Sequence, residues 1–440
     1  MASSRTGRTF GRVQELESRR RLAYPLLALI VALPRLVALV ADRGDILRPF
    51  TFGEKSDDIA RTFVDSGTFG FIPGEPSAYT QPLYSFLLIP LYETVGRSWE
   101  VVGVAQILLA IGTAWLVYEL GRRWLPSPCG LLAATLATLE PYLVWHDVHV
   151  NREIVDGLLA AALMLLTLLL AARRSLPLAA LLGVVLGVAI LGNVRLTLLP
   201  LVLAGFLLWQ WRPSGAAFAA IGVAFACCAL VLVPWIVRNE VKVGCAALTT
   251  DSRGLWEANN ERTLEILRAG LWIDNVPLPA GFPPSAQDAG REYRRHGRIV
   301  HVDECAQTTF YRDKVLDFWR DHPAEKAKLA GQATIMLWNP AVSQEDRRAE
   351  ASSQLNTVRR WVQPLYLLPL LLLAAYGVTR VPRHVAALAL LLLGYQWVIA
   401  MVFVGATRYR VPWDFVLALL AAAAIVDLAD RLASRRSAPA

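Results

Sequence analysis

LAYPLLALIVALPRLVALVA, residues 22–41, is apolar for the length of a bilayer crossing and is interrupted only by two prolines and Arg35. A helix needs about 20 such residues to cross the hydrocarbon core. The stretch that follows, PFTFGEKSDDIARTFVDSGTFGFIPGEPSAYTQPLYSFLL (49–88), is far too polar to cross. It gathers Glu54, Asp57, Asp58, Asp65 and Glu75 among glycines, prolines and aromatics, so it reads as an acid-rich loop hung on a membrane helix.

The alternation of long apolar blocks with short polar ones continues through the chain. Of its 440 residues 55% are hydrophobic and 18% charged, and mean hydropathy is +0.41. A soluble chain carries roughly a quarter charged residues. The expectation is therefore an all-α polytopic integral membrane protein. About ten transmembrane helices are expected, near 22–41, 98–120, 129–146, 154–172, 176–191, 196–211, 216–237, 360–378, 385–404 and 411–429. Segment 82–95 is too short for a span and reads as a re-entrant or interfacial helix closing the first loop.

These spans divide the chain into a basic tail (1–21), a transmembrane region (22–237) with the first loop at 42–97, a large loop domain (238–359), a second transmembrane region (360–429) and a short tail (430–440). Basic residues mark one set of short loops: Arg122, Arg123, Arg173, Arg174, Arg212, Arg380 and Arg383, together with both tails. The positive-inside rule then places both termini in the cytoplasm and the acidic loop and the 238–359 domain outside. A basic N-terminus running into a long span without a small-residue cleavage site reads as a signal anchor. The net charge of +8 follows this punctuation and does not call for a nucleic-acid partner. Cys129, Cys227 and Cys228 fall in apolar runs as small core residues, whereas Cys245 and Cys305 share the outer loop and could pair in an oxidising compartment.

Three features bear on chemistry. A carboxylate of the first loop, among Glu54, Asp57 and Asp58, can act as a general base toward an acceptor hydroxyl; the alternative is a solvated, helix-capping charge cluster. Arg35, Arg195, Arg238, Arg408 and Arg410 sit at the outer ends of spans, where basic residues are sparse, and an anionic phosphate there would explain them together. The alternative for each alone is snorkelling to lipid headgroups. The loop EPYLVWHDVHVNREIVDG (140–157) offers Glu140, His146, Asp147, His149 and Glu153. His146, His149 and Glu153 have helical offsets, but no tight metal signature such as HExxH is present, so Glu153 reads as a second site acid and no metal is expected. Gly183 and Gly187 form a G-x-x-x-G suited to close helix packing, and Asp414 lies one turn after Arg410, where it can pair with it.

The acid followed by DDIARTFVDSGTFGF and SAYTQPLYSFLL, then VPWIVRNE (233–240), GLWEANN (254–260) and ATRYRVPWDF (406–415), resembles the bacterial relatives of the protein O-mannosyltransferases, glycosyltransferase family 39, and the lipid A aminoarabinose transferases. The resemblance implies a C-type (GT-C) multi-span glycosyltransferase of the cell envelope that takes a sugar from a polyprenyl-phosphate donor, without nucleotide or other cofactor. Carried over residue by residue, it implies a base among Glu54, Asp57 and Asp58, an acid at Glu153, and donor-phosphate residues at Arg238, Arg408 and Arg410. The chain reads E-K-S-D-D-I-A where the family often has an acid and an aromatic before I-A, which leaves the three acids unresolved. The expectation is transfer of a hexose or pentose to an acceptor hydroxyl on protein, lipid or glycan, with inversion, outside the plasma (inner) membrane. The rival classes are a polytopic transporter or lipid flippase, which would show related halves and broken helices at midplane, and a non-catalytic envelope scaffold.

Overall fold

A computed structural model describes residues 20–47, 54–341 and 354–437. The basic stretch 1–19 lies outside the described residues, as does the Glu54 side chain. Helices dominate: α1 (Arg20–Ala41), α2 (Glu54–Ser66), α3 (Leu83–Val95), α4 (Trp99–Trp124), α5 (Cys129–Thr138), α6 (Pro141–His146), α7 (Glu153–Arg173), α8 (Leu176–Gly192), α9 (Leu199–Trp211) and α10 (Gly215–Val243). Then come α11 (Arg253–Glu257), α12 (Thr263–Arg268), α13 (Ala286–His296), α14 (Glu304–Asp321), α15 (Pro323–Trp338), α16 (Gln354–Gly377), α17 (Arg383–Val402), α18 (Thr407–Arg410) and α19 (Asp414–Ser437). Among the described residues no strand forms; one isolated bridge joins Ile72 and Glu75.

Among the described residues seven helical segments are long and apolar enough to cross a membrane, by length and composition. The protein is thus an all-α, multi-pass membrane protein. The expected span 129–146 is split instead into α5 and α6, because Pro141 follows Glu140 and the Glu140 carboxylate caps the new helix by accepting from the Leu143 amide at 2.7 Å. Segment 83–95 forms the short helix expected of it.

The last span is the axis of the bundle. Its apolar window is 83% buried, against 22% for the window of α10, so α19 is central and α10 peripheral. α19 packs against α5 and α16, and its alanine run Ala421–Ala424 lets those helices approach closely. α8 lies along α10, and there the glycine pair acts: a Cβ on Gly183 would fall against the Ala224 carbonyl, and one on Gly187 against the Val231 side chain. Beyond the bundle, Trp256, Val276, Tyr311 and Val315 form the small core of the loop region that joins α10 to α15. Cys245 and Cys305 form a disulfide that closes this region where it leaves α10.

Replacing Gly183 with valine must push α8 and α10 apart, an overpacking penalty of about 1–3 kcal/mol. The detergent-solubilised G183V protein should therefore melt several degrees below wild type, whereas Gly205→Val, where nothing lies within 4 Å of the added Cβ, should not.

Candidate active site

A cavity of about 830 Å³ opens at one end of the bundle, between the span ends and the loop region. Four separate chain segments bring cations to its membrane side. Arg152 precedes the first turn of α7, and its guanidinium donates to Gln81 Oε1 of the first loop. Glu153, the next residue, opens α7 on the same wall. Arg195 is held in a single 3₁₀ turn between α8 and α9. Asn193 makes that turn: its Oδ1 accepts from the Arg195 amide at 3.2 Å while its Nδ2 donates to Asp156 at 2.8 Å. Arg408, on α18, donates to the Tyr409 hydroxyl at 2.9 Å. The fourth cation, Lys55, comes from the start of α2.

Aromatic faces support two of these charges. The Arg195 guanidinium lies 3.9 Å from the Tyr409 ring centroid and 4.9 Å from that of Phe403. Arg408 lies 4.9 Å from Tyr409 and 5.3 Å from Trp272. Ring quadrupoles stabilise a cation without neutralising it. Among the described residues Arg195 has no carboxylate within ion-pair distance, so its charge remains available to an anion in the cavity. Arg152 and Arg408 are close enough that their charges act against its own.

The opposite wall belongs to the loop region and carries four acids, Asp251, Glu257, Asp274 and Asp288, with Arg253 and Arg291 among them. Lys55 bridges the two walls through Asp251 at 2.6 Å. Burial works against the charge on both partners of that pair, but each holds the other ionised: Asp251 falls below the ordinary carboxylate range and Lys55 rises. Arg253 pairs with Glu257 at 2.9 Å and also with Asp288. Burial, followed by the neighbouring Asp274 charge, pushes Glu257 up to about 8 against the pull of Arg253.

The nominated residues separate into two groups. Glu153, Arg195 and Arg408 line the cavity. Arg35, Arg238 and Arg410 do not, and each is satisfied elsewhere. Arg35 is bound by Asp147 at 2.9 and 2.7 Å deep between helices. Arg238 donates to the carbonyls of Ser77 and Phe69 at 2.8 and 3.0 Å, fixing the first loop against α10. Arg410 pairs with Asp414 at 3.1 Å and donates to the carbonyls of Leu337 and Asn339. Among the acids, Asp57 is taken by Arg97 (2.8 Å) and the Tyr92 hydroxyl (2.6 Å), and Asp58 by Arg294 (2.9 Å). Both are buried and neither lines the cavity.

The histidine pair diverges as well. His146 faces Glu153 at 3.6 Å, while His149 faces Asp42 at 3.5 Å. No group of three His, Cys, Asp or Glu side chains among the described residues is arranged to hold a metal.

Lys55, Arg152, Asp251, Arg253 and Glu257 are cavity residues that sequence reasoning passed over. Lys55 and Arg152 each stand beside a nominated acid, and Glu257 falls within GLWEANN, so the signal was adjacency to residues already singled out.

The family model described as dolichyl-phosphate-mannose-protein mannosyltransferase matches residues 80–237, from the first loop to the end of the apolar part of α10. A comparison with curated protein sequences gave no match. The fold is similar to that of the archaeal oligosaccharyltransferase AglB from Archaeoglobus fulgidus, solved with an inhibitory peptide and a dolichol-phosphate. There the TM-score is 0.53 and the identity 12%, over 95% of this chain and 52% of that one. The same organism's oligosaccharyltransferase tethered to an acceptor peptide gives a TM-score of 0.52 at 12% identity, over 94% and 50%. ArnT from Cupriavidus metallidurans bound to undecaprenyl phosphate gives 0.43 at 17% identity, over 92% and 78%. The chain thus spans about half the length of the archaeal structures. It shares their fold, and residues 80–237 match the family model.

Proposed function

We propose that this protein moves a sugar from a polyprenyl-phosphate donor to an acceptor hydroxyl, with inversion, on the extracytoplasmic face of the plasma membrane, both termini being cytoplasmic. The observation that carries this reading is the Arg195 guanidinium on the cavity wall, cushioned by rings and, among the described residues, with no carboxylate within ion-pair distance, Arg152 and Arg408 being close by. Converging guanidiniums at the end of a membrane bundle suit a phosphate whose lipid tail runs down between the spans. As the bond from the anomeric carbon to the phosphate oxygen breaks, negative charge grows on the leaving phosphate, where fixed cations stabilise it most.

The base in this reading is Glu153. It stands on the cavity wall next to the cations, whereas Asp57 and Asp58 are committed to Arg97 and Arg294. Glu54, next in the chain to Lys55, is the alternative acid on the sequence reading. The loop-region wall is suited to the sugar and the acceptor: Glu257, with its affinity for a proton raised to about 8, is a neutral donor and acceptor for hydroxyls at neutral pH. The sugar and the acceptor are chosen on this wall.

The experiment is release of polyprenyl monophosphate by the purified protein from a panel of dolichyl- and undecaprenyl-phosphate sugars, with and without an envelope extract as acceptor. Release that depends on acceptor is expected. No release from any donor by a folded protein would move the reading to transport or scaffolding. Arg195→Ala should lower kcat/KM by about 10- to 100-fold, the loss of a charge-assisted phosphate contact. Glu153→Gln should lower kcat by at least about 100-fold with donor KM nearly unchanged. Full activity in Glu153→Gln with loss in Glu54→Gln would transfer the role of base to Glu54.

Glu257 yields a stability prediction. Its folded pKa of about 8 exceeds the unfolded value, near 4.3. The folded state therefore holds the extra proton between those values. The stability this gives is complete at the acid end and is lost as pH rises through about 8. Glu257→Gln should remove the loss, so the melting temperature of the variant relative to wild type should be higher at pH 8.5 than at pH 5.5.

A further inference from the structure

We propose that His146 is the proton partner of Glu153: its imidazole orients the carboxylate and takes up the proton that Glu153 receives from the acceptor hydroxyl. The inference rests on the assignment of Glu153 as base. His146 is the last residue of α6 and is fully buried, and it does not line the large cavity. Its Nε2 lies 3.6 Å from Glu153 Oε2. Glu153 is only 4% exposed and stands on the wall shared by the large cavity and a small, mainly apolar pocket between the spans. Its carboxylate thus meets the cavity on one side and the protein interior, with His146, on the other.

The spacing between the two groups is fixed by a backbone locked with side-chain hydrogen bonds. Asn151 Nδ2 donates to the carbonyls of His146 (2.6 Å) and His149 (2.8 Å), and Asn151 Oδ1 accepts from the Ile154 amide at 3.0 Å, which ties the His146 end of the loop to the first turn of α7. Gln106 Nε2 donates to the carbonyls of Asp147 and His149, both at 2.8 Å. Arg35 anchors the Asp147 carboxylate. The His146 ring itself is set against Tyr142, 4.8 Å between centroids. The 3.6 Å separation is ion-pair contact rather than a hydrogen bond. The ordered backbone on both sides keeps Nε2 aimed at Oε2, so that closing to hydrogen-bond distance in the substrate complex completes an acid–base pair.

The charged and titratable groups facing the pair are Tyr142 and Asp147 on the side of His146, and Arg152, Arg408, Asp156 and Tyr84 on the side of Glu153. In the step, the acceptor O–H bond breaks as its oxygen bonds to the anomeric carbon, and the anomeric carbon–oxygen bond to phosphate breaks with its electron pair on the leaving phosphate. The proton passes to Glu153 and then from Oε2 to Nε2. This leaves Glu153 ionised and His146 an imidazolium, with the Asp147 carboxylate adjacent to it in the chain. The proton returns by the same route to water when product leaves the cavity.

The test uses the full-length protein with dolichyl-phosphate mannose as first donor, or whichever donor of the panel releases lipid. His146→Gln should lower kcat by about 100-fold with donor KM within twofold of wild type. It should also move the acid limb of the pH–kcat profile to lower pH, because protonation of the imidazole no longer blocks the relay. Wild-type activity in His146→Gln, or a lower plateau with an unmoved acid limb, would overturn the proposal. Since a residue this buried can be needed for folding, the wild-type protein supplies a second measurement. Because Glu153 starts ionised, one proton is in flight in each transfer, so kcat should be lower in D2O than in H2O and vary linearly with deuterium content. Equal rates in the two solvents, or a bowed two-proton dependence, overturn this stepwise relay whatever the variant does. The two readings fail separately: activity in Glu153→Gln removes the base, whereas a dead Glu153→Gln beside a normal His146→Gln removes only the relay.

Discussion

A guanidinium in or beside a membrane span must be matched by a carboxylate, a set of carbonyls, an aromatic face or a ligand, because the hydrocarbon offers nothing else. The organisation of this protein follows from how its arginines meet that demand. Arg35 draws Asp147 down between α1 and the loop after α6; Arg410 draws Asp414 and the carbonyls at the end of α15. Removing either carboxylate would strand a buried charge, a loss of about 3–5 kcal/mol for such pairs. These two pairs fix the span ends among which the cavity sits. Among the described residues Arg195 meets aromatic rings and no carboxylate within ion-pair distance, which leaves its charge facing the cavity.

The loop region is attached to the bundle by contacts of several kinds, and this determines the cavity's shape. Arg238 holds the first loop by its carbonyls, and Glu304 accepts from the Ala78 amide and the Thr250 hydroxyl. Lys326 reaches across to Asn259 and to the carbonyls of Met401 and Val402 at the end of α17. The disulfide closes the base of the region, and Lys55–Asp251 closes its lip. The last of these differs from the others in lying on the cavity itself. An anion entering beside Lys55 would compete with Asp251 for its ammonium, which ties occupancy of the cavity to the contact between its two walls.

The two walls differ in their balance of charge: Arg152, Arg195 and Arg408 with Glu153 on one side, and Asp251, Glu257, Asp274 and Asp288 with Arg253 and Arg291 on the other. A donor with an anionic head and a neutral, hydroxyl-rich sugar fits that division, because its phosphate lies against the cations and its sugar against groups that exchange hydrogen bonds. Asp251 and Glu257 are driven apart: Lys55 lowers the proton affinity of Asp251 against its burial, while burial first and the Asp274 charge second raise that of Glu257.

The helical, multi-pass architecture was legible in the sequence because hydrophobicity in blocks is a local property, read one segment at a time. So were the short helix 83–95, the G-x-x-x-G contact, the pairing of Arg410 with Asp414 and the partnership of Cys245 and Cys305, each set by residues whose chemistry has few outlets. The helix break at Glu140 also had a local cause, but the apolar run around it concealed the proline's effect. What the sequence did not distinguish was one interfacial arginine from another. Arg35, Arg195, Arg238, Arg408 and Arg410 are alike in position relative to the spans, and Asp57, Asp58 and Glu153 are alike as outer acids. Their fates depend on partners far away in the chain: Arg35 on Asp147, Asp57 on Arg97, Asp58 on Arg294. Ion pairing is a short-range match between groups that only folding brings together, so tertiary structure alone decided which charges became scaffold and which were left facing the cavity.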